Sequence, residues 1–207
     1  PALRWRPSQS LSVSPVEVGE MSRVGVLALQ GDVREHISML ETLGASAIGV
    51  KHPSALDALD ALVIPGGEST TIGRMAVSFG LMTPLREAIN GGLPTYGTCA
   101  GMILLASATT EGDQPLLDAL DVVVRRNAFG RQNESFEASL DIVGLGPPFD
   151  AVFIRAPWIE KVGADVDVLS VIDDHPVMVQ QDNILATSFH PELTGDGRVH
   201  QKLLDLI

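Results

Sequence analysis

The chain has 207 residues, 45% of them hydrophobic and 19% charged, which is enough apolar side chain for one folded domain and too much for a disordered one. A formal net charge of -12 repels phosphate backbones and disfavours nucleic-acid binding, and no run reaches the ~18 apolar residues of a membrane-spanning helix. The single cysteine excludes an internal disulfide and fits a reducing cytoplasm, while His36, His52, His175, His190 and His200 are too scattered for a structural zinc.

The opening "PALRWRPSQSLSVSPVEVGE" is rich in Pro and Ser and lacks the continuous apolar core of a signal peptide. Residues 1–20 read as a flexible extension, Met21 as the natural start, and residues 21–207 as one domain. "VGVLALQ" is a short apolar run that ends at a Gln-Gly turn, as a buried parallel strand does. In "DVREHISMLETLG", Val33, Ile37, Leu40 and Leu43 fall at helical spacing; Asp32 is placed to cap the start and Gly44 to end it. "SAIGV" and "ALVI" are further strands, the second broken by Pro65-Gly66-Gly67. Helices are expected over 70–79 and from about Thr83-Pro84 to Asn90-Gly91-Gly92. "LPTYGT" is a strand that leads into "CAGMILLA", which reads as helix.

This alternation predicts an α/β fold: a mixed, mostly parallel sheet with helices on both faces. The second half changes character. "LDVVVRRNAF", "SFEASLDIV", "AVFIRAP", "VDVLSVI", "PVMVQQ" and "ILATSF" are strand-like runs joined by turns, so part of the sheet is expected to be antiparallel. A last helix covers roughly residues 199–206. The chain stops inside that apolar pattern, which reads as a clipped C-terminus.

The chemistry concentrates in three places. In Gly97-Thr98-Cys99-Ala100-Gly101 a strand turns directly into a helix, the cysteine version of the G-x-S-x-G nucleophile elbow. Such a turn strains the residue at its tip and needs small neighbours two positions either side. The thiol then sits at a helix N-terminus, whose partial positive charge favours thiolate, and the Ala100 N–H is placed to donate to an oxyanion. The competing reading of Cys99 is a small buried hydrophobe. A nucleophile needs a base. "ATSFHPELTG" offers His190 at the end of a strand over 184–189, with Glu192 two residues on; in extended chain the two side chains face the same way. A carboxylate there orients the imidazole and stabilises its cation, which makes Cys99, His190 and Glu192 a candidate triad. His36 and His200 read as helix residues with surface-like surroundings, and His52 and His175 as loop residues before prolines. In "PGGEST" the glycines allow close backbone approach to a ligand; Gly67 N–H is a second candidate oxyanion donor, and Glu68 and Ser69 are placed to meet a polar substrate. The phosphate-loop pattern is absent, and no cofactor or metal site is read from the chain.

Together "PGGEST", "GTCAG" and "FHPE" resemble the class I (triad) glutamine amidotransferases. With "LALQGDVREH", "RRNAFGRQNESFEA" and "FIRAP" the resemblance narrows to the glutaminase subunits of pyridoxal 5'-phosphate synthase, and it covers residues 23–207. It implies that Cys99 attacks the side-chain amide of L-glutamine with His190 as base, forming a glutamyl thioester. It also implies L-glutamine binding by Gly67, Glu68, Ser69, Arg126, Ile154 and Arg155, and an oxyanion hole from Gly67 and Ala100. The implied partner is a (β/α)8-barrel synthase subunit in a 12+12 complex, which receives the ammonia, with Gln30-Gly31 completing the oxyanion hole on docking. Two alternatives stay open: another class I amidotransferase or γ-glutamyl hydrolase, and a non-catalytic binding module of the same fold.

Overall fold

The computed structural model describes residues 21–126, 128 and 135–207. Strand β1 (Arg23–Leu27) leads to helix α1 (Val33–Thr42), then β2 (Ser46–Val50), β3 (Ala61–Ile64), α2 (Ser69–Ser78) and α3 (Met82–Asn90). Strand β4 (Thr95–Thr98) runs straight into α4 (Ala100–Leu105). Then come β5 (Ala106–Thr109), β6 (Leu120–Arg125), β7 (Ser135–Leu140), β8 (Phe149–Ile154), β9 (Trp158–Val162), β10 (Asp167–Ile172), β11 (His175–Gln181), β12 (Ile184–Thr187) and α5 (Arg198–Leu204). The extension expected over residues 1–20 lies outside the described residues, as does most of the "NAFGRQNE" motif.

Among the described residues the main sheet has the order β10-β11-β12-β4-β3-β1-β2. The pairs β12/β4, β4/β3, β3/β1 and β1/β2 are parallel, and β10/β11/β12 are antiparallel. The mixed, mostly parallel sheet is therefore present as expected. The central strands β1, β3, β4 and β12 are buried on both faces because both faces are covered. Leu62 and Ile64 of β3 pack with Ile72, Leu85 and Met102 from α2, α3 and α4, and with Val122 and Ile159. Ala61 and Val63, one residue out of phase, face the other side with Leu40 of α1, Val199 and Leu203 of α5, and Phe149 and Phe153 of β8. No helix among the described residues is long and apolar enough to cross a membrane.

The structure departs from the sequence reading at several points. The late strands do not all join one sheet: β5-β6-β9 form a second sheet and β7-β8 a separate antiparallel pair. Strands β5 and β9 were not anticipated. Helix α4 is only six residues long and buried all round, so its apolar run carries no period from which its end at Leu105 can be read. Asp32 stands at the start of α1 but makes no side-chain cap; its carboxylate points to His190 instead. Gly44 does end α1, at φ +87°. His175 begins β11 and stacks on Trp158 with ring centroids 3.7 Å apart, so it is not a loop residue.

Candidate active site

The carboxyl ends of four neighbouring parallel strands deliver the site. Strand β4 delivers Cys99, β12 delivers His190, β3 delivers Gly66-Gly67-Glu68, and β1 delivers Gln30-Gly31-Asp32. Cys99 occupies the N-terminus of α4 with φ 48° and ψ -100°, outside the regions L-residues favour. Its backbone N–H donates to Thr187 O at 2.7 Å, which ties the turn to β12. The flanking glycines are required by contact. A Cβ on Gly101 would stand 2.0 Å from Ile64 O, and one on Gly97 would stand 2.7 Å from Gly101 C. The elbow geometry expected from Gly-x-Cys-x-Gly is thus present, with the Cys99 residue 7% exposed.

His190 is buried, and its Nδ1–H donates to Glu192 Oε1 at 2.7 Å. The pairing holds for a different reason than extended geometry. The segment Pro191–Leu193 is a 3-10 turn, and that turn brings the carboxylate back to the ring. A second carboxylate, Asp32 Oδ2, lies 3.4 Å from the same Nδ1. Burial opposes a charge on His190, but the neighbouring Asp32, Cys99 and Glu192 outweigh it, and its pKa stands well above the ordinary histidine value. Burial pushes Glu192 up, partly offset by His190. With Nδ1 engaged by carboxylates, Nε2 is the nitrogen left for the thiol. Asp32, His190 and Glu192 each place one potential ligand atom within 4.8 Å of the others, a set that a cation can also use. The Nδ1–Oε1 hydrogen bond already occupies two of those atoms.

Asp32→Asn is expected to lower the His190 pKa, because one of the groups favouring the imidazolium is neutralised while Glu192 keeps its bond. NMR of the His190 ring in the free protein reads this directly. An unchanged ring titration would mean that Asp32 does not act on His190.

Beside Cys99 is a cavity of about 230 Å³ lined by Gly67, Glu68, Ser69, Cys99, Ile103, Arg126, Ile154 and Arg155. All six positions expected to meet L-glutamine are brought together there. The volume is below the ~300–1,000 Å³ typical of drug-sized ligands and suits a single amino acid. Glu68 caps α2, accepting from Thr70 N at 3.1 Å and Thr71 N at 2.7 Å, and takes Arg126 Nη2 at 3.1 Å. Burial is the largest single influence and raises this carboxyl, yet the several bonds from Thr71 and Thr70 together outweigh it and hold its pKa at about 2. Arg155 has φ 45° at the end of β8, a strained backbone at the cavity wall. Gln30 Oε1 accepts from Glu68 N at 2.7 Å, and Gly31 packs so closely that a Cβ there would meet Gly66 O at 1.7 Å. The Gln30-Gly31 segment therefore braces the Gly67 loop.

Sequence reasoning placed His36 and His200 at the surface; both are fully buried. His36 lies three residues after Val33 and four before Leu40, on the apolar stripe itself, and His200 sits three before Leu203. The spacing was there to be read. His36 Nδ1 and His200 Nε2 are 2.9 Å apart, and His36 Nε2 lies 3.5 Å from Glu192 Oε2. Asp32 and Ile103 were also missed; Ile103 is one helical turn beyond Cys99, the one available signal for it.

Residues 26–206 match the model of the SNO glutamine amidotransferase family. The chain is 58% identical over 188 residues to the "Pyridoxal 5'-phosphate synthase subunit PdxT" of Frankia casuarinae, covering 89% of this chain and 94% of that one. It is 57% identical to the protein of the same name from Mycobacteroides abscessus, over 89% and 96% of the two chains. A solved structure titled "Crystal structure of glutamine amidotransferase" superposes with a TM-score of 0.85 at 50% identity, covering 88% of this chain and 97% of the other.

Proposed function

The chain belongs to the SNO glutamine amidotransferase family, and from that premise we propose that it is the glutaminase subunit of a pyridoxal 5'-phosphate synthase, hydrolysing L-glutamine to L-glutamate and ammonia. The observation that carries this reading is the strained Cys99 turn at the wall of an amino-acid-sized cavity, with the buried His190–Glu192 pair beside it.

In this reading Cys99 Sγ attacks the side-chain carbonyl carbon of glutamine, and His190 Nε2 takes the thiol proton. Glu192 and Asp32 hold the imidazolium at Nδ1. Backbone N–H groups of Gly67 and Ala100 stabilise the oxyanion. His190 then protonates the leaving nitrogen, the C–N bond breaks, and ammonia departs from a glutamyl thioester. Water, losing a proton to Nε2, attacks the thioester and frees glutamate and the thiolate. Arg126 and Arg155 supply positive charge for the α-carboxylate, and Glu68 negative charge for the α-ammonium.

The partner is the synthase subunit, a (β/α)8 barrel in a 12+12 assembly in the cytoplasm. The contact of Gln30 and Gly31 with the Gly67 loop supports a role for that segment in completing the oxyanion hole on docking. The test is glutamate release from L-glutamine with and without the cognate synthase subunit. Activity is expected to appear or rise sharply with the synthase. Strong activity indifferent to it would favour another class I amidotransferase or a γ-glutamyl hydrolase. No activity despite demonstrated subunit binding would favour a non-catalytic module.

A further inference from the structure

Glu192 spends only one oxygen on His190. Oε1 accepts from Nδ1, while Oε2 is buried with no hydrogen-bond partner among the described residues. A buried carboxylate oxygen left unmatched is costly. The group facing it is His36 Nε2 at 3.5 Å, slightly beyond a good hydrogen bond. The same nitrogen lies 3.2 Å from Thr98 Oγ1, and the other nitrogen of that ring meets His200 Nε2 at 2.9 Å. The titratable groups facing His36 are Glu192 on the 3-10 turn, His200 on α5 and Tyr96 on β4, with His190 beyond Glu192.

Two neutral arrangements satisfy the bond between the two histidines. If His36 donated from Nδ1, its bare Nε2 would oppose the Glu192 carboxylate, acceptor against acceptor. His200 would then carry its proton on Nδ1, which is buried without a partner. If His200 donates from Nε2, His36 keeps its proton on Nε2, bonded to Thr98 Oγ1 and 3.5 Å from Glu192 Oε2, and the unmatched His200 Nδ1 is only an acceptor. Buried orphan N–H groups are rarer than under-satisfied acceptors, so the second arrangement wins.

We propose that His36 is a positioning residue for the reaction: its Nε2–H, hydrogen-bonded to Thr98, is the donor nearest the second oxygen of Glu192 and steadies that carboxylate electrostatically, and His200 sets the tautomer that puts the proton there. The inference rests on reading Cys99, His190 and Glu192 as the catalytic row. Both histidines act as neutral rings. Burial, then the repulsion a charge would meet from His200 and His190, holds the His36 pKa well below its ordinary value, and burial alone holds His200 at about 4.

The discriminating variants are His36→Asn and His36→Gln. The asparagine amide reaches the Nδ1 position and keeps contact with His200, whereas the glutamine amide reaches the Nε2 position and keeps a donor toward Glu192. Without that donor the Glu192 carboxylate is less favoured and its pKa rises, so the acid limb of activity moves to higher pH. With the synthase present, His36→Asn is expected to lower kcat about tenfold, leave KM within about twofold, and raise the acid limb by about one pH unit; His36→Gln should restore most of both. Equal behaviour of the two folded variants, or an unshifted limb in His36→Asn, would overturn the proposal. Nitrogen NMR of histidine-labelled wild-type protein decides the matter even if a variant does not fold. His36 must be neutral with its proton on Nε2; a proton on Nδ1 overturns the proposal. A wild-type protein with no glutaminase activity would instead sink the functional reading, while the NMR result would still stand or fall by itself.

Discussion

Cys99→Ala is expected to reduce glutamate release in the assembled synthase to the uncatalysed background, a loss of at least about 10⁴-fold. The chain has one cysteine, so no second thiol can take over. The loss should be in chemistry and not in folding. Alanine removes one buried atom, the φ of 48° is no worse for alanine than for cysteine, and the bond from the backbone N–H to Thr187 O is kept. The thermal midpoint should therefore change by only a few degrees, and glutamine binding should survive. His190→Asn is expected to be comparably severe. The other buried histidines, His36 and His200, stand on the far side of Glu192 and present no nitrogen to the thiol. Retained turnover above about one per cent in Cys99→Ala would remove the nucleophile assignment.

Gly101→Ala is expected to have the largest effect on stability. Its Cβ would stand 2.0 Å from the carbonyl oxygen of Ile64, and Ile64 belongs to β3 inside the main sheet, where backbone cannot yield. Helix α4 must shift away from the sheet instead. Overpacking of this kind costs about 3 kcal/mol or more, which for a domain of this size lowers the thermal midpoint by roughly 10 °C. The same shift moves Cys99 and the Ala100 N–H out of register, so activity should fall even below the melting transition. Gly195→Ala is the control: nothing lies within 4 Å of a Cβ there, and its midpoint should stay near that of the wild type. Equal midpoints for the two variants would show that the contact with Ile64 does not constrain the elbow.

The parts of the site that were legible in the sequence are those whose geometry is local. A strand, a turn with glycines at fixed offsets and a helix constrain Cys99 within a few residues, and a two-residue spacing joins His190 to Glu192. Gly67, Glu68 and Ser69 were legible from the glycine pair in "PGGEST"; Arg126, Ile154 and Arg155 became legible only through the family resemblance, because they come from distant segments and no local pattern links them. Asp32 was misread because an acidic residue before an amphipathic helix is ordinarily a cap; a tertiary contact took the carboxylate instead. His36 and His200 were misread because a histidine on an apolar stripe was weighed by its polarity and not by its position. Strand β5 escaped because Ala-Ser-Ala-Thr follows the apolar run of α4 without a break, and β9 because Glu160 and Lys161 interrupt its apolar pattern.

Glu68 carries a consequence for ligand binding. One carboxylate closes the first turn of α2, grips Arg126 and lines the cavity. These bonds restrict its rotamers and those of the arginine before any ligand arrives, so part of the conformational entropy of ordering this wall is surrendered during folding and not at binding. A small, highly polar molecule makes few apolar contacts with which to offset such a loss. A recess in which Glu68 and Arg126 are already held lets it bind with its few polar interactions intact.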